Sequence, residues 1–336
     1  MKGVLKMIQF VGLDERFLPR MAEILSLRQT AERSKYPFLP EKFENPDETE
    51  NILRSEMKKP FVNGLVALRN SKVIGYLLYE YKENAQKGRH ILISYPSIAI
   101  DVTEHPRLVR LMYAEAGSEW IKHGYFQHII FAPLGNDRQL NEWLEQGFRF
   151  DQKYAVLDMD QYEAKNKDKV NIQVRKSVEN DEELLKKMSR WNSIHQAAAP
   201  SWNPITKETL EDVKSGYASL ASDAEAIVFL GEEKGIPAGF HVYYEVQASD
   251  TMYTPERCVE LPAASTNPEL RGRGIGKALT DFSVNELKGM GYRYCLADWH
   301  TPNHLSSYFW PKMGYQPFMV RMLRIVDNRI AWAHGK

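Results

Sequence analysis

The sequence predicts a mixed α/β fold that occurs twice along the chain. Three observations support this prediction. At 336 residues, the chain is longer than a single hydrophobic core usually organises. A set of landmark residues recurs at one fixed spacing. Both copies present antiparallel hairpins first and a strand–helix–strand–helix unit afterwards, an order that gives a mixed α+β sheet.

The repeat is defined by four landmarks whose residue numbers all differ by 167, as in 291 minus 124. The matched pairs are Gly124-Tyr125 with Gly291-Tyr292, Asn136 with Asn303, Trp143 with Trp310, and Gly147-Phe148 with Gly314-Tyr315. Four matches in register indicate a duplicated domain. We therefore divide the chain into a first domain at 1–160, a polar and charged linker at 161–170, and a second domain at 171–336.

Hydrophobic periodicity gives the elements of each domain. In the second domain it predicts strands at 172–175, 226–230, 238–246, 258–265, 294–298 and 319–325, and helices at 181–196, 207–220, 274–290 and 303–313. In the first domain it predicts β-type segments at 62–69, 73–81, 91–102, 128–132 and 150–159, and helices at 107–122 and 137–146. Hairpin turns are expected at Asn70-Ser71 and across Glu232-Glu233-Lys234-Gly235.

Composition excludes several classes of function. Lys plus Arg and Asp plus Glu both number 44, so the basic excess of a nucleic-acid binder is missing. The two cysteines, Cys258 and Cys295, lack metal-ligand spacing and are expected to be buried in strands, which favours a reducing compartment and no metal site. The chain start lacks the apolar core of a signal peptide, and no apolar run has membrane-spanning length. We therefore expect a soluble, cytoplasmic protein with neither nucleic acid nor membrane as partner.

The strongest local signal is the segment from Pro268 to Lys277, which lies between a predicted strand and a predicted helix. Glycines at such a position let successive backbone N–H groups converge, and the helix N-terminus adds its dipole, so the segment suits a pyrophosphate. Arg271, Arg273 and Lys277 supply compensating charge. A plain glycine-rich turn is one alternative. A dinucleotide-binding fingerprint is another, but its third glycine would be misplaced here and antiparallel hairpins do not precede it.

These residues resemble the acetyl-CoA-binding motif of the GNAT superfamily of N-acetyltransferases, in the form Arg271-x-x-Gly274-x-Gly276. The downstream run Asn303-x-x-Ser306-x-x-Phe309-Trp310-x-Lys312-x-Gly314-Tyr315 is similar to the second signature of that family. The resemblance covers the last third of the chain closely and the rest of the second domain in element order. It implies two tandem GNAT-like acyl-CoA N-acyltransferase domains, with acetyl-CoA as co-substrate and a small-molecule or peptide amine as acceptor.

The resemblance also implies a cofactor site. The strands before and after the loop should separate and admit the thioester into the wedge between them. Backbone groups near Ala264, Ser265 and Thr266 should bind the acetyl carbonyl and the pantetheine arm, and should stabilise the oxyanion. The residues expected to bind the cofactor are completed by Arg271, Gly272, Arg273, Gly274, Ile275, Gly276, Lys277, Asn303 and Trp310. Asn303 is also a good helix N-cap, and the two roles are compatible.

The chemistry needs a base and a donor for the departing thiolate. Glu260, on the strand before the loop, resembles the base of some GNAT enzymes, and strand alternation puts it on the face of Pro262 and Ala264. A surface carboxylate, or one paired with Arg257, is the alternative. Many family members carry Tyr where this chain has Trp310, so Ser307, on the face of Asn303, and Tyr308 become the candidate donors, although helix geometry turns Tyr308 away from Asn303. Protonation of the thiolate by solvent is the alternative.

Other side chains are expected around the acceptor. His241 and Tyr243, on the neighbouring strand, are plausible lining residues, although such residues more often belong to the core or the surface. His195 lies beside a segment expected to border the acceptor pocket, although a structural histidine is the more common case.

The first domain has lost the loop. The positions 167 residues before Arg271, Gly274 and Gly276 are Glu104, Arg107 and Val109, in a run without glycine. We infer that this copy keeps the fold without cofactor binding, and that its role is structural or completes the acceptor pocket. One further hypothesis is that its last strand, 153–159, seals the core of the second domain.

Three functions follow from these observations. The leading one is acetyl-CoA-dependent N-acetylation of a primary amine. The second is a weak or inactive module in which acetyl-CoA binding regulates a protein interaction. The third is transfer of a larger acyl group, or of an aminoacyl group from tRNA; the intact loop and the zero net charge disfavour tRNA.

Overall fold

The computed structural model describes residues 8–84, 87–164, 172–248 and 251–333. The chain forms two compact units. Unit 1 contains Met1–Gln152 and Phe318–Lys336, and unit 2 contains Lys153–Pro317. In the described part of the chain, no helix is long and apolar enough to cross a membrane.

Unit 1 is a sheet with helices, built mainly from the first repeat. Its strands are β1 Ile8–Gly12, β2 Val62–Arg69, β3 Lys72–Asn84, β4 Gly88–Ile93, β5 Ile98–Ile100, β6 Gln127–Pro133 and most of β13 Gln316–Ile325, and its helices are α1 Leu18–Arg33, α2 Pro46–Lys58, α3 Leu108–Lys122 and α4 Asp137–Leu144. The strand order is β1-β2-β3-β4-β6-β13, with β5 paired to β3. Only β4 and β6 pair in parallel among the registers recorded for this sheet.

Unit 2 repeats this arrangement with the second half of the chain. Its strands are β8 Gln173–Lys176, β9 Ile227–Glu233, β10 Ile236–Val246, β11 Cys258–Thr266, β12 Tyr294–His300 and the end of β7 Arg149–Asp158, and its helices are α5 Glu182–Met188, α6 Arg190–Ala197, α7 Lys207–Ser219, α8 Ile275–Gly289 and α9 His304–Lys312. The strand order is β7-β12-β11-β10-β9-β8. Here β11 and β12 are the parallel pair, because α8 connects them.

The last strand of each repeat lies in the unit formed by the other repeat. Residues 153–158 of β7 belong to unit 2, where Ala155 and Leu157 are fully buried in a core with Trp310 and Tyr315. In unit 1, β13 pairs antiparallel with β6 from Met319↔Pro133 to Ile325↔Gln127. This agrees with the hypothesis that 153–159 seals the second domain. The division of the sequence at 161–170, part of which lies outside the described residues, therefore separates the repeats but not the compact units.

Two hairpin turns follow from local backbone chemistry. Asn70 and Ser71 have φ of 50° and 63°, and Lys234 and Gly235 have φ of 53° and 77°. Two consecutive residues with positive φ define the tight turn whose twist matches antiparallel strands. The second turn is thus two residues long, and β9 extends through Glu233 into the segment predicted as turn.

Two predicted elements are interrupted. The helix predicted at 181–196 breaks at Ser189, whose hydroxyl donates to the carbonyl of Lys186 at 2.7 Å, a bond that bends helices. The β-type segment predicted at 91–102 is split by a short 3₁₀ turn, Tyr95–Ser97, where Pro96 has no N–H to offer a neighbouring strand. Strand β1 and helices α1 and α2 were not predicted from the sequence.

Candidate functional site

The predicted phosphate loop is an ordered turn that leads into α8. Asn267 caps a 3₁₀ turn at Pro268–Leu270 and anchors it through Nδ2, which donates to the Pro237 carbonyl at 3.0 Å. Gly272 and Gly274 both have φ of +81°, and Gly274 is the N-cap of α8. L side chains rarely adopt this backbone conformation, so both turns depend on glycine.

The N-terminus of α8 presents free donors. Gly274 provides no side-chain cap, and the first recorded backbone bond of the helix is from Ala278 N to Gly274 O. Among the described residues, no acceptor contacts the N–H groups of Ile275, Gly276 and Lys277. Free N–H groups together with the helix dipole form an anion site.

The basic side chains of the loop differ in their partners. Arg273 pairs with Glu233 at 3.0 Å, so part of its charge is already neutralised. Arg271 and Lys277 are exposed and have no acidic partner among the described residues. These two residues are therefore the cations available to an incoming phosphate.

Close packing against Phe309 also favours glycine at position 276. A Cβ at this position would lie 3.1 Å from Cζ of Phe309, which is tighter than most real contacts. Phe309 lies on α9, so Gly276 lets the first turn of α8 approach α9 closely. The predicted second signature thus packs against the predicted first one.

The corresponding turn in the first repeat lacks a free anion site. The N–H groups of Leu108 and Val109 donate to the carbonyls of His105 and Pro106, and no residue from 101 to 110 has positive φ. The carboxylate of Glu104 pairs with Arg69 at 2.7 Å.

The two strands expected to form a wedge do separate. Their parallel register runs from Cys258↔Tyr294 to Leu261↔Ala297 and stops there. Strand β11 continues to Thr266 and β12 to His300 without further pairing between them. Ala264, Ser265 and Thr266 all lie on this unpaired stretch of β11, just before the loop.

A β-bulge corrects the predicted face of Glu260. On β10, Val242 pairs with Ala263 and Tyr244 pairs with Glu260, so two residues of β11, Leu261 and Pro262, oppose Tyr243 alone. Paired residues share a face of the sheet, and therefore Glu260 lies on the face of Ala263 and not on that of Ala264. Simple alternation gave the wrong face because it assumes an uninterrupted ladder.

Glu260 is half-buried and has no counter-ion. No hydrogen bond or ion pair reaches its carboxylate among the described residues, so the alternative pairing with Arg257 is not observed. Burial raises the pKa of Glu260 above its ordinary range. Burial, followed by the charge of Glu260, also raises the pKa of Tyr253. An unpaired carboxylate of raised pKa can accept a proton near neutral pH.

Asn303 is the N-cap of α9, as predicted. Its Oδ1 accepts from the Ser306 N–H at 3.2 Å, and its side chain is largely buried. The same oxygen lies 3.0 Å from Nε2 of His195 on α6. Sequence reasoning missed this contact because the two residues are 108 positions apart and no local pattern joins them.

The predicted thiolate donors lie in different environments. Ser307 donates its hydroxyl to the Thr301 carbonyl at 3.2 Å. The phenol of Tyr308 is 67% exposed and accepts from Lys312, which lowers the pKa of Tyr308. Trp310 is buried and contacts Tyr315 and His241, with ring centroids 5.2 and 6.0 Å away.

His241 and Tyr243 lie in the core of unit 2. Both are buried, and Nδ1 of His241 lies 3.0 Å from the Tyr243 hydroxyl. Burial lowers the pKa of His241 to about 3, so the imidazole is neutral. Cys258 and Cys295 are both buried in strands, as predicted.

Part of the second repeat matches a known protein-family model. Residues 191–315 match the family model described as the acetyltransferase (GNAT) family. A mycothiol acetyltransferase of Amycolatopsis mediterranei (strain U-32) is 28% identical over 120 residues. That match covers 35% of this chain and 40% of the relative, so it spans less than half of the relative's length.

Two solved structures resemble most of the chain. A tandem GNAT protein from the clavulanic acid biosynthesis pathway has a TM-score of 0.51 at 12% identity, covering 95% of this chain and 98% of that one. A GCN5-related N-acetyltransferase from Sphaerobacter thermophilus has a TM-score of 0.57 at 14% identity, covering 95% of each chain. At these identities the likeness concerns the fold, and it confirms the predicted tandem arrangement.

Proposed function

We propose that the second repeat, whose residues 191–315 match the GNAT acetyltransferase family model, transfers an acetyl group from acetyl-CoA to the primary amine of a small molecule or a peptide. The first repeat keeps the fold without a cofactor site of its own. The observation that carries this proposal is the free N-terminus of α8 beside the point where β11 and β12 separate.

The loop from Arg271 to Lys277 accounts for the phosphates of the cofactor. The free N–H groups of Ile275, Gly276 and Lys277 would donate to the pyrophosphate, and the unpaired side chain of Arg271 would neutralise it. Gly272 and Gly274 shape the turn, and Arg273 contributes less because Glu233 already holds it. This combination of helix dipole, free donors and charge is a general solution for phosphate binding.

The wedge accounts for the thioester. Backbone groups of Ala264, Ser265 and Thr266 lie on the stretch of β11 that no longer pairs with β12, so they are available to the acetyl carbonyl and the pantetheine arm. Donors at that place would stabilise the oxyanion formed when the amine attacks, which is commonly the largest electrostatic contribution. Asn303 and Trp310 border the same region from α9.

Glu260 is the proposed base for the acceptor. An alkylamine is an ammonium ion at neutral pH and must lose a proton before it can attack. The half-buried carboxylate has no counter-ion among the described residues and a raised pKa, so it attracts the ammonium and removes that proton directly or through water.

The experiment measures release of the coenzyme A thiol with a panel of primary amines and of peptides with free N-termini. We expect amine-dependent release with at least one acceptor. Glu260→Gln should lower kcat by about 10²- to 10⁴-fold, the usual contribution of a general base, and should keep acetyl-CoA affinity. Glu256→Gln, an exposed carboxylate four residues earlier, is the control. Tight acetyl-CoA binding without release for any amine would instead favour a regulatory, non-catalytic module.

A further inference from the structure

The contact between His195 and Asn303 fixes the protonation of an imidazole. Asn303 Oδ1 accepts from the Ser306 N–H, as an N-cap oxygen must, and so it can only accept from His195 as well. Nε2 of His195, 3.0 Å from that oxygen, is therefore the nitrogen that carries the hydrogen. In the neutral ring this leaves the lone pair on Nδ1, which has no partner among the described residues.

This imidazole connects elements that belong to both separating strands. His195 is on α6, which packs on β11, one of the two separating strands. Asn303 begins α9 three residues after β12, the other separating strand. The His195–Asn303 hydrogen bond thus connects a helix that packs on β11 with the residue that follows β12, and the proposed function places the thioester between these two strands. An asparagine that orients a histidine in this way is a known arrangement for proton transfer.

The reaction needs a proton carrier that α9 does not supply. Acetylation of an ammonium ion releases two protons, one before the amine attacks and one as the amide forms, while the thiolate must gain one. The hydroxyl of Ser307 already donates to Thr301, and Tyr308 points outward with its phenol on Lys312. Trp310 is buried, and its indole N–H is not acidic.

We propose that His195 carries the second proton. This step rests on the proposed function. After Glu260 has removed the first proton, the amine nitrogen forms a bond to the acetyl carbon, and the nitrogen of the tetrahedral intermediate bears a positive charge. Nδ1 of His195 takes a proton from that nitrogen. The C–S bond then breaks with its electron pair on sulfur, and the imidazolium gives the proton to the thiolate, so that His195 returns to its starting form.

The test uses two acceptors that differ in charge: an alkylamine that the enzyme acetylates and an O-alkylhydroxylamine, which is neutral at the assay pH. A neutral nucleophile has no first proton to lose but must still lose the second one. Loss of the base Glu260 should therefore matter mainly for the alkylamine. His195→Gln should lower kcat by at least about tenfold for both acceptors, the low end of what a proton-transfer group contributes, and should leave the KM for acetyl-CoA unchanged.

The glutamine variant separates catalysis from positioning. Its side-chain amide can still donate to Asn303 Oδ1, so a purely structural histidine would be replaced without loss. His304→Gln, the same substitution at an exposed site next to Asn303, is the control and should turn over like the wild type. Imidazole added to His195→Ala should restore part of the activity.

Normal kcat for His195→Gln with both acceptors, or failure of imidazole to restore His195→Ala, would overturn the assignment of His195 while leaving the proposed function intact. A wild-type protein that acetylates no amine would overturn both.

Discussion

At the scale of single residues, Glu260 combines a chemical role with a cost in stability. Burial raises its pKa in the folded protein, so the folded state holds this proton more tightly than the unfolded state does. Stability therefore falls as the pH rises from the ordinary carboxyl value towards the raised one, by about 1.4 kcal/mol for each pKa unit of the shift.

At pH 7, the free energy of unfolding of Glu260→Gln should consequently be equal to or higher than that of the wild type, although the variant loses turnover. The difference in stability should vanish as the pH falls below about 4, where the wild-type carboxyl is also neutral. Urea titrations at several pH values measure this, with Glu256→Gln as the exposed control. A variant less stable than the wild type at pH 7 would mean that the carboxylate has a stabilising partner.

Gly274 tests the phosphate loop at the same scale. Gly274→Asp and Gly274→Asn place side chains of equal size at φ +81°, and both residue types tolerate this backbone better than most. They differ in charge. Since like charges 4 Å apart repel by about 4 kcal/mol at an effective dielectric of 20, the aspartate should bind acetyl-CoA at least about a hundredfold more weakly than the asparagine. Equal affinities of the two variants for acetyl-CoA, measured by calorimetry, would show that the phosphates do not bind at this loop.

At the scale of secondary-structure elements, the two repeats provide matched N-caps. Asn303 Oδ1 accepts from Ser306 N at 3.2 Å, and Asn136 Oδ1 accepts from Gln139 N at 3.1 Å. Replacing either residue by alanine should cost about 1 kcal/mol of stability. Only Asn303→Ala should also lower acetyl-CoA affinity and kcat, because only this cap belongs to the proposed acetyl-CoA site and contacts His195. Thermal unfolding and steady-state kinetics on both variants check this, and equal kinetic losses would contradict it.

The elements also show which parts of the site local sequence could predict. The glycine turn at 272–274 and the N-cap Asn303 were predicted because glycines at positive φ and capping asparagines act over a few residues. The bulge at Leu261 and Pro262 was missed because it depends on the pairing of β11 with β10. The bond from His195 to Asn303 was missed for the same reason, since its partners meet only in the folded chain.

At the scale of the whole molecule, the duplicated fold was predicted but its strand exchange was left as a hypothesis. The repeat could be recognised in the sequence because its landmark residues have the same structural role in both copies. Gly124 and Gly291 both have positive φ, and Trp143 and Trp310 are both buried. The exchange of β7 and β13 between the units has no corresponding signal in the sequence. A strand has the same hydrophobic pattern whichever of two similar sheets it joins.

Strand exchange predicts that the two halves cannot separate after a single cut. A protease site inserted between Asp168 and Lys169 would yield fragments whose last strands lie in the unit formed mainly by the other fragment. The cleaved protein should therefore elute from a sizing column as one species and dissociate only in denaturant. Separate elution under native conditions would contradict the exchange.

The central claim is that the chain has one acetyl-CoA site, formed by the second repeat. Calorimetric titration of the wild-type protein with acetyl-CoA tests it most directly. We predict one site per chain. The backbone N–H groups at the loop after β11 have no acceptor among the described residues, whereas those at the corresponding turn before α3 already donate to backbone carbonyls. Two sites per chain, or no binding at all, would contradict the account.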